Sequence, residues 1–523
     1  MFQYGRLTRR EPTSTQNLKT MSLLTKAVSL TLGGRLRAID RFMREPAQVQ
    51  REQFDTLLRS LVRTPFGAAC GVTERCGYGR FAEAIPVREY DELRPFVDRI
   101  RGGEGNILWD APTRWYAKSS GTTAERSKYI PITAASLKHC HYRGAKDVMA
   151  LYLRNNPKSD IFAGKTMTLG GSRRLESSDG VPTGDLSAIL ISNTPFYASF
   201  NRTPPPSVAL IPEFEAKVEA ICRRCSRERI TSLAGVPSWN LVLLNRILEY
   251  TGKDNISEVW PHMELFMHGG VSFQPYREIF RRLIPSDDMH YMETYNASEG
   301  FFSIQDDPAD DAMLLMLDYE IFYEFLPVAD LDTPEKAVPL EGVEKGVNYA
   351  MIISTSGGLW RYMIGDTVMF TSTSPYKIKI TGRTKQYINA FGEELMVDNA
   401  ERAIGEAARA TDAEVAEYTV APVFMEADTK GAHQWLVEFK REPADMALFA
   451  AELDGALRRL NSDYDAKRSG DTTLYAPRIE TLPPGTFYRW MASRGKLGGQ
   501  NKIPRLSPSR DYVEALHEMV RNS

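Results

Sequence analysis

Short apolar runs of strand length alternate with longer amphipathic segments through most of this sequence. The strand candidates are residues 165–170, 187–192, 263–268, 313–327 and 348–354. The helix candidates are residues 38–64, 133–153, 212–228 and 239–251. A recurring order of strand, loop and helix is typical of proteins in which helices cover buried sheets. The pattern therefore predicts an α/β fold.

A second pattern begins near residue 385 and favours a separate domain. Its elements run helix, two strands, helix, strand and helix, at residues 396–410, 413–425, 433–440, 444–461, 474–481 and 509–520. A chain of 523 residues is also too long for one compact core. We predict a large N-terminal domain, residues 1–384, and a small α+β domain, residues 385–523, with a hinge near Lys385.

Composition excludes several classes of partner. The formal net charge of -2 gives no basis for binding nucleic acid or an anionic membrane. No stretch approaches the roughly 20 apolar residues that a membrane-spanning helix needs. The five cysteines are sparse and odd in number, so we expect no disulfide framework and predict a cytoplasmic protein.

The strongest chemical signal is the sequence Ser-Ser-Gly-Thr-Thr at residues 119–123, followed by Lys128. Hydroxyls and backbone N–H groups in such a turn can donate to phosphate oxygens, and Gly121 permits a close approach of the backbone. The spacing is neither that of a Walker A loop nor that of a G-x-G-x-x-G turn. By itself the segment is equally typical of a polar surface loop.

Two carboxylates follow in settings that suit a bound nucleotide. Glu299 lies after Tyr295 and before a glycine, and a carboxylate near phosphates can hold Mg²⁺. Asp366 ends an apolar stretch and could accept hydrogen bonds from ribose hydroxyls, while Arg383 could reach the ribose or the α-phosphate. Each of these residues alone could instead be a solvated charge or part of a turn.

Gly269 and Gly270 follow an apolar run and precede Val271. Without side chains, the two glycines would let a flat base lie against the backbone. A tight turn is the alternative interpretation.

The order of these segments resembles that of the Gretchen Hagen family of acyl-acid amido synthetases, a branch of the adenylate-forming enzyme superfamily. Its phosphate loop, Ser-Ser-Gly-Thr followed by a lysine, is matched by residues 119–122 and Lys128. Its Tyr-x-x-Ser-Glu motif and its aromatic stretch ending in Gly-Asp are matched by Tyr295, Ser298, Glu299, Arg361, Tyr362, Gly365 and Asp366. The resemblance extends from about residue 60 to the C-terminus.

The chain departs from the family pattern in two places, one at a phosphate contact and one in the hinge segment. Met363 stands where the plant members usually have an arginine, so one phosphate contact is either missing or supplied by Arg361. The hinge segment at residues 382–393 looks closer to the wider superfamily, which indicates a bacterial-type member and weakens any transfer of plant-hormone substrates.

The resemblance implies an enzyme that uses ATP to convert a carboxylic acid into an acyl-adenylate. The acyl group would then pass to an amine, expected to be an amino acid, to form an amide. The implied cofactors are ATP and Mg²⁺. The implied fold is a large N-terminal domain of β-sheets and a small barrel flanked by helices, with a small mobile α+β C-terminal domain.

The resemblance also implies roles for individual residues. The nucleotide would be bound by Ser119, Ser120, Gly121, Thr122, Thr123, Gly270, Val271, Thr294, Tyr295, Asp366 and Arg383. Within this set, residues 119–123 face the phosphates, Gly270 and Val271 lie along adenine, and Asp366 and Arg383 hold the ribose. Glu299 would hold Mg²⁺.

The C-terminal domain of such enzymes supplies a lysine that stabilises charge on the α-phosphate. Lys502 is the best match in this chain, and Lys496, in an equally glycine-rich setting, is its competitor. The acyl pocket would draw on Val236, Trp239 and Ser272, although a tryptophan beside a pocket is equally typical of a core.

Two other functions stay open at this point. An acyl-CoA ligase would share the adenylation step and use the thiol of coenzyme A as acceptor. A non-catalytic nucleotide-binding protein is disfavoured because the residues of the motifs are intact. The sequence specifies neither the acid, nor the amine, nor the oligomeric state.

Overall fold

The computed structural model describes residues 23–119, 128–170, 176–178, 181–195, 199–211, 213–270, 273, 276–384, 387–388, 393, 395–423, 431–461, 464–465, 468, 474–495, 502–507 and 509–521. Within these ranges, no helix combines the length and the hydropathy that crossing a membrane requires.

The strands are numbered in chain order. They are β1 (Thr113–Ser119), β2 (Lys128–Thr133), β3 (Lys165–Thr168), β4 (Glu176–Ser178), β5 (Val181–Gly184), β6 (Arg202–Thr203), β7 (Ile230–Gly235), β8 (Leu265–Gly269), β9 (His290–Ala297), β10 (Gly300–Ile304), β11 (Met313–Leu315), β12 (Ile321–Pro327), β13 (Val338–Pro339), β14 (Asn348–Thr355), β15 (Tyr362–Thr373), β16 (Tyr376–Arg383), β17 (Tyr387–Ile388), β18 (Leu395–Met396), β19 (Glu414–Val423), β20 (Ala432–Arg441) and β21 (Arg478–Leu482).

The helices lie before, between and after these strands. The α-helices are Leu23–Arg44, Pro46–Leu61, Pro65–Ala69, Tyr78–Ala84, Tyr90–Arg101, Tyr142–Asn155, Leu186–Ser192, Pro206–Ala209, Phe214–Cys225, Pro237–Thr251, Ile256–Val259, Arg277–Leu283, Val397–Ala410, Met446–Leu460, Thr486–Ser493 and Asp511–Arg521. A π-helix, Ser136–His141, precedes Tyr142–Asn155, and short 3-10 helices occupy Ile161–Ala163, Val328–Asp330, Pro334–Lys336 and Leu340–Gly342.

One sheet dominates the described part of the chain, with twelve strands in the order β13-β12-β14-β15-β16-β11-β10-β9-β8-β7-β3-β6. The strands from β6 to β9 are parallel, and those from β9 to β13 pair antiparallel. The parallel strands bring their carboxyl ends to one edge, where ligands bind in open α/β sheets. The antiparallel strands and the parallel strands belong to one continuous sheet, because β9 pairs with β10 as well as with β8.

The central strand β14 shows how the sheet is buried on both faces. Met351 and Ile353 belong to the main apolar core, whereas Ala350 and Ile352 pack in a smaller cluster on the opposite face. Successive side chains of a strand point to opposite faces, so a strand covered on both sides is continuously apolar. This is why residues 348–354 could be predicted from composition alone.

Helices cover the two halves of the sheet separately. Helices Leu23–Arg44 and Tyr142–Asn155 pack over the antiparallel half and are joined by Arg35, whose Nη2 lies 2.7 Å from Oδ2 of Asp147. Helices Phe214–Cys225 and Pro237–Thr251 contribute to a second core against the parallel strands. Both predicted helix positions are confirmed for this second pair.

The C-terminal part has a three-stranded sheet, β19-β20-β21, and its own apolar cores. Helices Val397–Ala410 and Met446–Leu460 pack against each other over this sheet. Arg505 connects it to the larger part, because Nη2 donates to Oη of Tyr276 at 3.3 Å, while Nε lies 3.1 Å from Oε1 of Glu401 within the C-terminal unit. The expected combination of a large N-terminal and a small C-terminal α+β unit is confirmed.

Three local predictions were wrong. Residues 187–192 form the helix Leu186–Ser192 rather than a strand, because an apolar run of this length fits either state. The helix predicted at 38–64 is two helices, since the second begins with Pro46 at its first position. The strand predicted at 313–327 is two strands, β11 and β12, separated by a connection at residues 316–320.

The packing of Gly144 generates a stability prediction. On helix Tyr142–Asn155, a Cβ at Gly144 would lie 2.5 Å from Cγ of Phe301, whereas a Cβ at Gly405 would have only Arg409 Nη1 within reach, at 3.6 Å. Alanine in a helix gains about 1 kcal/mol over glycine, and overpacking a core costs about 1–3 kcal/mol. Gly144→Ala should therefore lower the midpoint of thermal unfolding, and the control Gly405→Ala should keep or raise it. Equal midpoints for both variants would show that the Phe301 ring has room to move.

Candidate active site

A cavity of about 1820 Å³ opens where the parallel strands end and the C-terminal unit faces them. Predicted site residues from five separate parts of the sequence line it: Val236, Gly270, Thr294, Tyr295, Glu299, Asp366, Arg383 and Lys502. The sheet therefore brings together residues that are up to 266 positions apart in the sequence, from Val236 to Lys502.

Asp366 is the centre of one group of contacts. Tyr295 Oη donates a hydrogen bond of 2.6 Å to Asp366 Oδ2, and Arg383 Nε lies 2.9 Å from Asp366 Oδ1. Asp366 and Arg383 are direct partners across β15 and β16, and Gly365, with φ of +91°, turns the backbone just before the carboxylate. The Asp366 charge raises the pKa of Arg383, so the guanidinium stays charged.

Glu299 is the centre of a second group. Because Ala297 pairs with Gly300, Ser298 and Glu299 form the tight turn between β9 and β10. Tyr362 Oη donates to Glu299 Oε1 at 3.4 Å and accepts from Lys128 Nζ at 3.2 Å.

The hydration of this second group is limited. Burial raises the pKa of the Glu299 carboxyl, and the positive charge of Lys128 opposes that shift. Burial disfavours the charged form of Lys128 as well, and therefore lowers the pKa of its amine. A partly desolvated carboxylate that is linked to Lys128 through the Tyr362 hydroxyl is well suited to a hard divalent cation, which prefers oxygen ligands.

Gly269, the last residue of β8, and Gly270 form a surface without side chains, the glycine wall. A Cβ on Gly269 would lie 2.3 Å from the carbonyl oxygen of Thr294, so only glycine permits this approach of β8 to β9. Gly270 has φ of +84°, and a Cβ there would lie 3.4 Å from Val236 Cγ2 and 3.6 Å from Lys502 Nζ.

Lys502 therefore lies directly against the glycine wall. Its side chain is exposed to the cavity, but the surrounding protein displaces part of its hydration shell and lowers its pKa to about 8. The negative charges of Asp366 and Glu401 oppose the shift, and the positive charge of Arg383 adds to it. Lys502 is thus a cation that faces the same space as Asp366.

Some predicted residues cannot be placed. Ser120, Gly121, Thr122, Thr123, Val271, Ser272, Lys496 and the hinge residue Lys385 lie outside the described residues. The backbone of Ser119 ends β1 and pairs with Lys128 at the start of β2. The described chain therefore stops at the strand partner of Lys128 and resumes at Lys128 itself, whose Nζ contacts Tyr362.

Comparison with known proteins fits this geometry. Three family models match in order: the GH3 family N-terminal domain at residues 35–289, the central domain at 314–383 and the C-terminal domain at 398–511. The chain belongs to the GH3 family. The predicted resemblance is thereby confirmed, whereas its bacterial-type character stays a prediction.

Curated GH3 relatives match this chain over nearly their whole length. The indole-3-acetic acid-amido synthetase GH3.8 of Oryza sativa subsp. indica is 24% identical, over 94% of this chain and 93% of that protein. The 4-substituted benzoates-glutamate ligase GH3.12 of Arabidopsis thaliana is 20% identical, over 84% of this chain and 89% of that protein.

Solved structures support the GH3 fold. The GH3.15 acyl acid amido synthetase in complex with 2,4-DB has a TM-score of 0.76 at 17% identity, with 98% of both chains covered. The 2-hydroxyisobutyryl-CoA ligase in the postadenylation state has a TM-score of 0.55 at 12% identity, covering 98% of this chain and 97% of that one.

Two residues of this GH3 chain lie outside the cavity: Arg361, a possible phosphate contact, and Trp239, a possible acyl-pocket residue. Arg361 is buried and faces away from the cavity: Nη2 lies 2.8 Å from Oε1 of Glu324, and Nη1 donates to the carbonyls of Ala82 and Ile85 at 2.8 Å. It cannot replace the phosphate contact that Met363 lacks. Trp239 is half-buried and packs against the second core rather than lining the cavity.

Sequence reasoning gave no role to Tyr362 or Glu401. Tyr362 was part of a matched motif, but only the structure shows that its hydroxyl connects Lys128 to Glu299. Glu401 lies on helix Val397–Ala410, lines the cavity and acts on the charge of Lys502. No motif surrounds it, so no sequence signal could have identified it.

The buried position of Arg361 makes a prediction that separates stability from binding. Arg361→Met would leave Glu324 as a buried, uncompensated carboxylate, which typically costs about 3–5 kcal/mol. We expect a lower midpoint of thermal unfolding but unchanged ATP affinity in the folded protein, measured by calorimetric titration. Arg383→Met is the matched control: it should weaken ATP binding, and it should lower the midpoint less than Arg361→Met, because Asp366 keeps its hydrogen bond from Tyr295 and is 18% exposed. Normal stability with lost ATP binding in Arg361→Met would return Arg361 to the nucleotide site.

Proposed function

We propose that this protein activates a carboxylic acid as an acyl-adenylate and transfers the acyl group to an amine, an amino acid, to form an amide. The observation that carries the proposal is the convergence of Glu299, Asp366, Arg383 and Lys502 on one cavity with a glycine wall. The named activities of full-length relatives add support for the amide product.

The first half-reaction joins two anions. A carboxylate oxygen of the acid attacks the α-phosphorus of ATP, and the bond to pyrophosphate breaks. Such a step depends on positioning and on neutralising charge. Lys502 would supply a fixed cation beside the α-phosphate, and a preorganised donor of this kind typically contributes about 3–4 kcal/mol.

The nucleotide would lie along the edge of the parallel strands. Gly269 and Gly270 offer a wall without side chains to the base, with Thr294 beside it. Each carboxylate oxygen can accept more than one hydrogen bond, so Asp366 can receive ribose hydroxyls in addition to Tyr295 and Arg383. The segment 119–123 would face the phosphates.

Glu299 fits the role of a Mg²⁺ ligand. Its carboxylate lines the cavity in a setting that penalises its charge, and a divalent cation would relieve that penalty. Mg²⁺ would supply neutralisation of the pyrophosphate leaving group. Lys128 and Tyr362 would hold the carboxylate in place.

The second half-reaction needs access for the amine. The amine must be neutral to attack the adenylate carbonyl; as the C–N bond forms, the bond to the phosphate oxygen breaks, AMP leaves and the amine loses a proton. We propose that residues 385–523 form a mobile domain that moves about the hinge near Lys385, carries Lys502 away and opens the cavity.

An ATP-consuming protein whose described cysteines are free is consistent with the cytoplasm.

Acid-dependent exchange of labelled pyrophosphate into ATP tests the first half-reaction. A panel of carboxylic acids should reveal at least one that supports exchange, and that acid should then give an amide with amino acids. Product analysis with coenzyme A in place of the amino acid is the control. A CoA thioester as sole product would replace the amide synthetase with an acyl-CoA ligase. No exchange with any acid would favour a non-catalytic protein.

The lowered pKa of Lys502 predicts a pH dependence of adenylation. The protonated lysine predominates below a pKa of about 8 and is lost above it, so kcat/KM for ATP should fall as the pH rises through about 8. Lys502→Arg should move this fall to higher pH, because arginine stays charged. Lys502→Ala should lose most exchange at every pH while still binding ATP. Full activity of that variant would transfer the role to another residue, with Lys496 first.

A further inference from the structure

Arg202 is a cavity residue that the proposed function does not use. It lies on β6, the edge strand of the large sheet, where it pairs in register with Thr166 of β3. Arg202 and Thr166 line the same cavity as Gly270 and Lys502. The cavity therefore extends along the parallel strands well beyond the nucleotide wall.

The Arg202 guanidinium is poorly compensated. Nη1 donates to Thr194 Oγ1 at 2.9 Å, but Nε and Nη2 are covered by protein and have no hydrogen-bond partner in the part of the chain that the structure describes. Among the described residues, no carboxylate lies within salt-bridge distance of it. Burial without a counter-ion lowers the pKa of Arg202 to about 10. A covered cation with unmet donors costs free energy unless a ligand supplies the acceptors.

Three other arginines that line the cavity show the contrast. Arg35 meets Asp147 at 2.7 Å, Arg383 meets Asp366 at 2.9 Å, and Arg402 lies 3.6 Å from Asp398. These side chains have a carboxylate partner within the protein. Arg202 has instead a hydroxyl, which can accept a hydrogen bond but carries no charge.

We propose that Arg202 binds a second anionic group of the acid substrate, remote from the carboxylate that is activated, so that the preferred acid is a dianion. This inference rests on the proposed function, because it assigns the substrate class of the same cavity. The planar guanidinium offers parallel N–H donors that match a carboxylate. Nε and Nη2 are covered by protein, so the proposed binding includes a rotation of the Arg202 side chain that turns these donors toward the cavity.

The strand order gives the length of such an acid. Three strand spacings separate β6 from β8, which ends at the glycine wall. At roughly 4.8 Å per spacing, the backbones of β6 and β8 lie about 14 Å apart across the sheet, and an acid that reaches from the glycine wall to Arg202 has a length of that order. Between them, Met149, Phe162, Leu169 and Leu190 line the cavity. The linker between the anionic groups should therefore be extended and largely apolar.

The position of β6 favours the acid over the amine as the source of the anion. The amino acid acceptor also carries a carboxylate, so the two share one chemistry. Helix Val397–Ala410 of the C-terminal unit contacts β16, on the other side of the glycine wall from β6. The amine would enter where that unit opens, whereas Arg202 lies at the far edge of the sheet.

Binding measurements on the full-length protein test this inference without requiring turnover. The probes are α,ω-dicarboxylates from adipate to dodecanedioate and biphenyl-4,4′-dicarboxylate, each compared by calorimetric titration with the matched monocarboxylate. Wild-type protein should prefer at least one dianion. Arg202→Gln should weaken that dianion by roughly 10- to 100-fold, the range for a charge-assisted hydrogen bond, and leave the monocarboxylate within about twofold.

Two further variants control for charge and folding. Arg223→Gln makes the same change at an exposed arginine paired with Glu219 and should behave as wild type. Arg202→Lys keeps the charge without the fork and should restore part of the preference. Wild-type protein without any preference for a dianion, or an equal loss of both ligand classes in Arg202→Gln, would overturn the inference.

Kinetics separate this inference from the proposed function. Pyrophosphate exchange needs no amine, so Arg202→Gln should impair exchange with the preferred dianion. An effect confined to amide formation would instead place the carboxylate of the amino acid at Arg202 and overturn the assignment to the acid. Dianion binding that depends on Arg202, without exchange for any acid, would refute the proposed function and leave the anion site standing.

Discussion

Asp366 receives a hydrogen bond from Tyr295 on β9 and an ion pair from Arg383 on β16. These strands are separated in the sheet by β10 and β11, so the carboxylate joins two parts of the fold that do not pair directly. A charge in this position is tolerable only because both oxygens have partners. The same contacts fix where the carboxylate points, and the nucleotide site we propose is arranged around it.

The sheet decides which parts of the chain reach the site. Parallel pairing from β6 to β9 brings strand ends to one edge, and the antiparallel strands continue past β9 to supply Asp366. Lys502 comes from the C-terminal unit and approaches the glycine wall from outside the sheet. The proposed chemistry therefore needs the C-terminal unit to lie in the correct position against the large sheet. Strand pairing fixes Asp366 within that sheet, but it does not fix the position of Lys502.

Sequence patterns predicted the elements whose burial is uniform and missed those for which tertiary packing decides between helix and strand. Residues 349–353 of β14 are all apolar because both faces are covered, whereas residues 188–191 are equally apolar and form a helix. The family motifs located Glu299 and Asp366, but they could not show that Arg361 turns into the protein to meet Glu324. Arg202 carries no motif, because its significance depends on missing partners in three dimensions.

The continuity of the cavity from β6 to Lys502 has a consequence for ligand design. A compound that tethers an acid to adenosine monophosphate through a non-hydrolysable linkage would occupy both compartments at once. Joining two fragments removes most of the rigid-body entropy cost of the second association. Such a bisubstrate mimic would also fill the space against which Lys502 lies, so it would hold the C-terminal unit in one arrangement and make a natural partner for crystallisation.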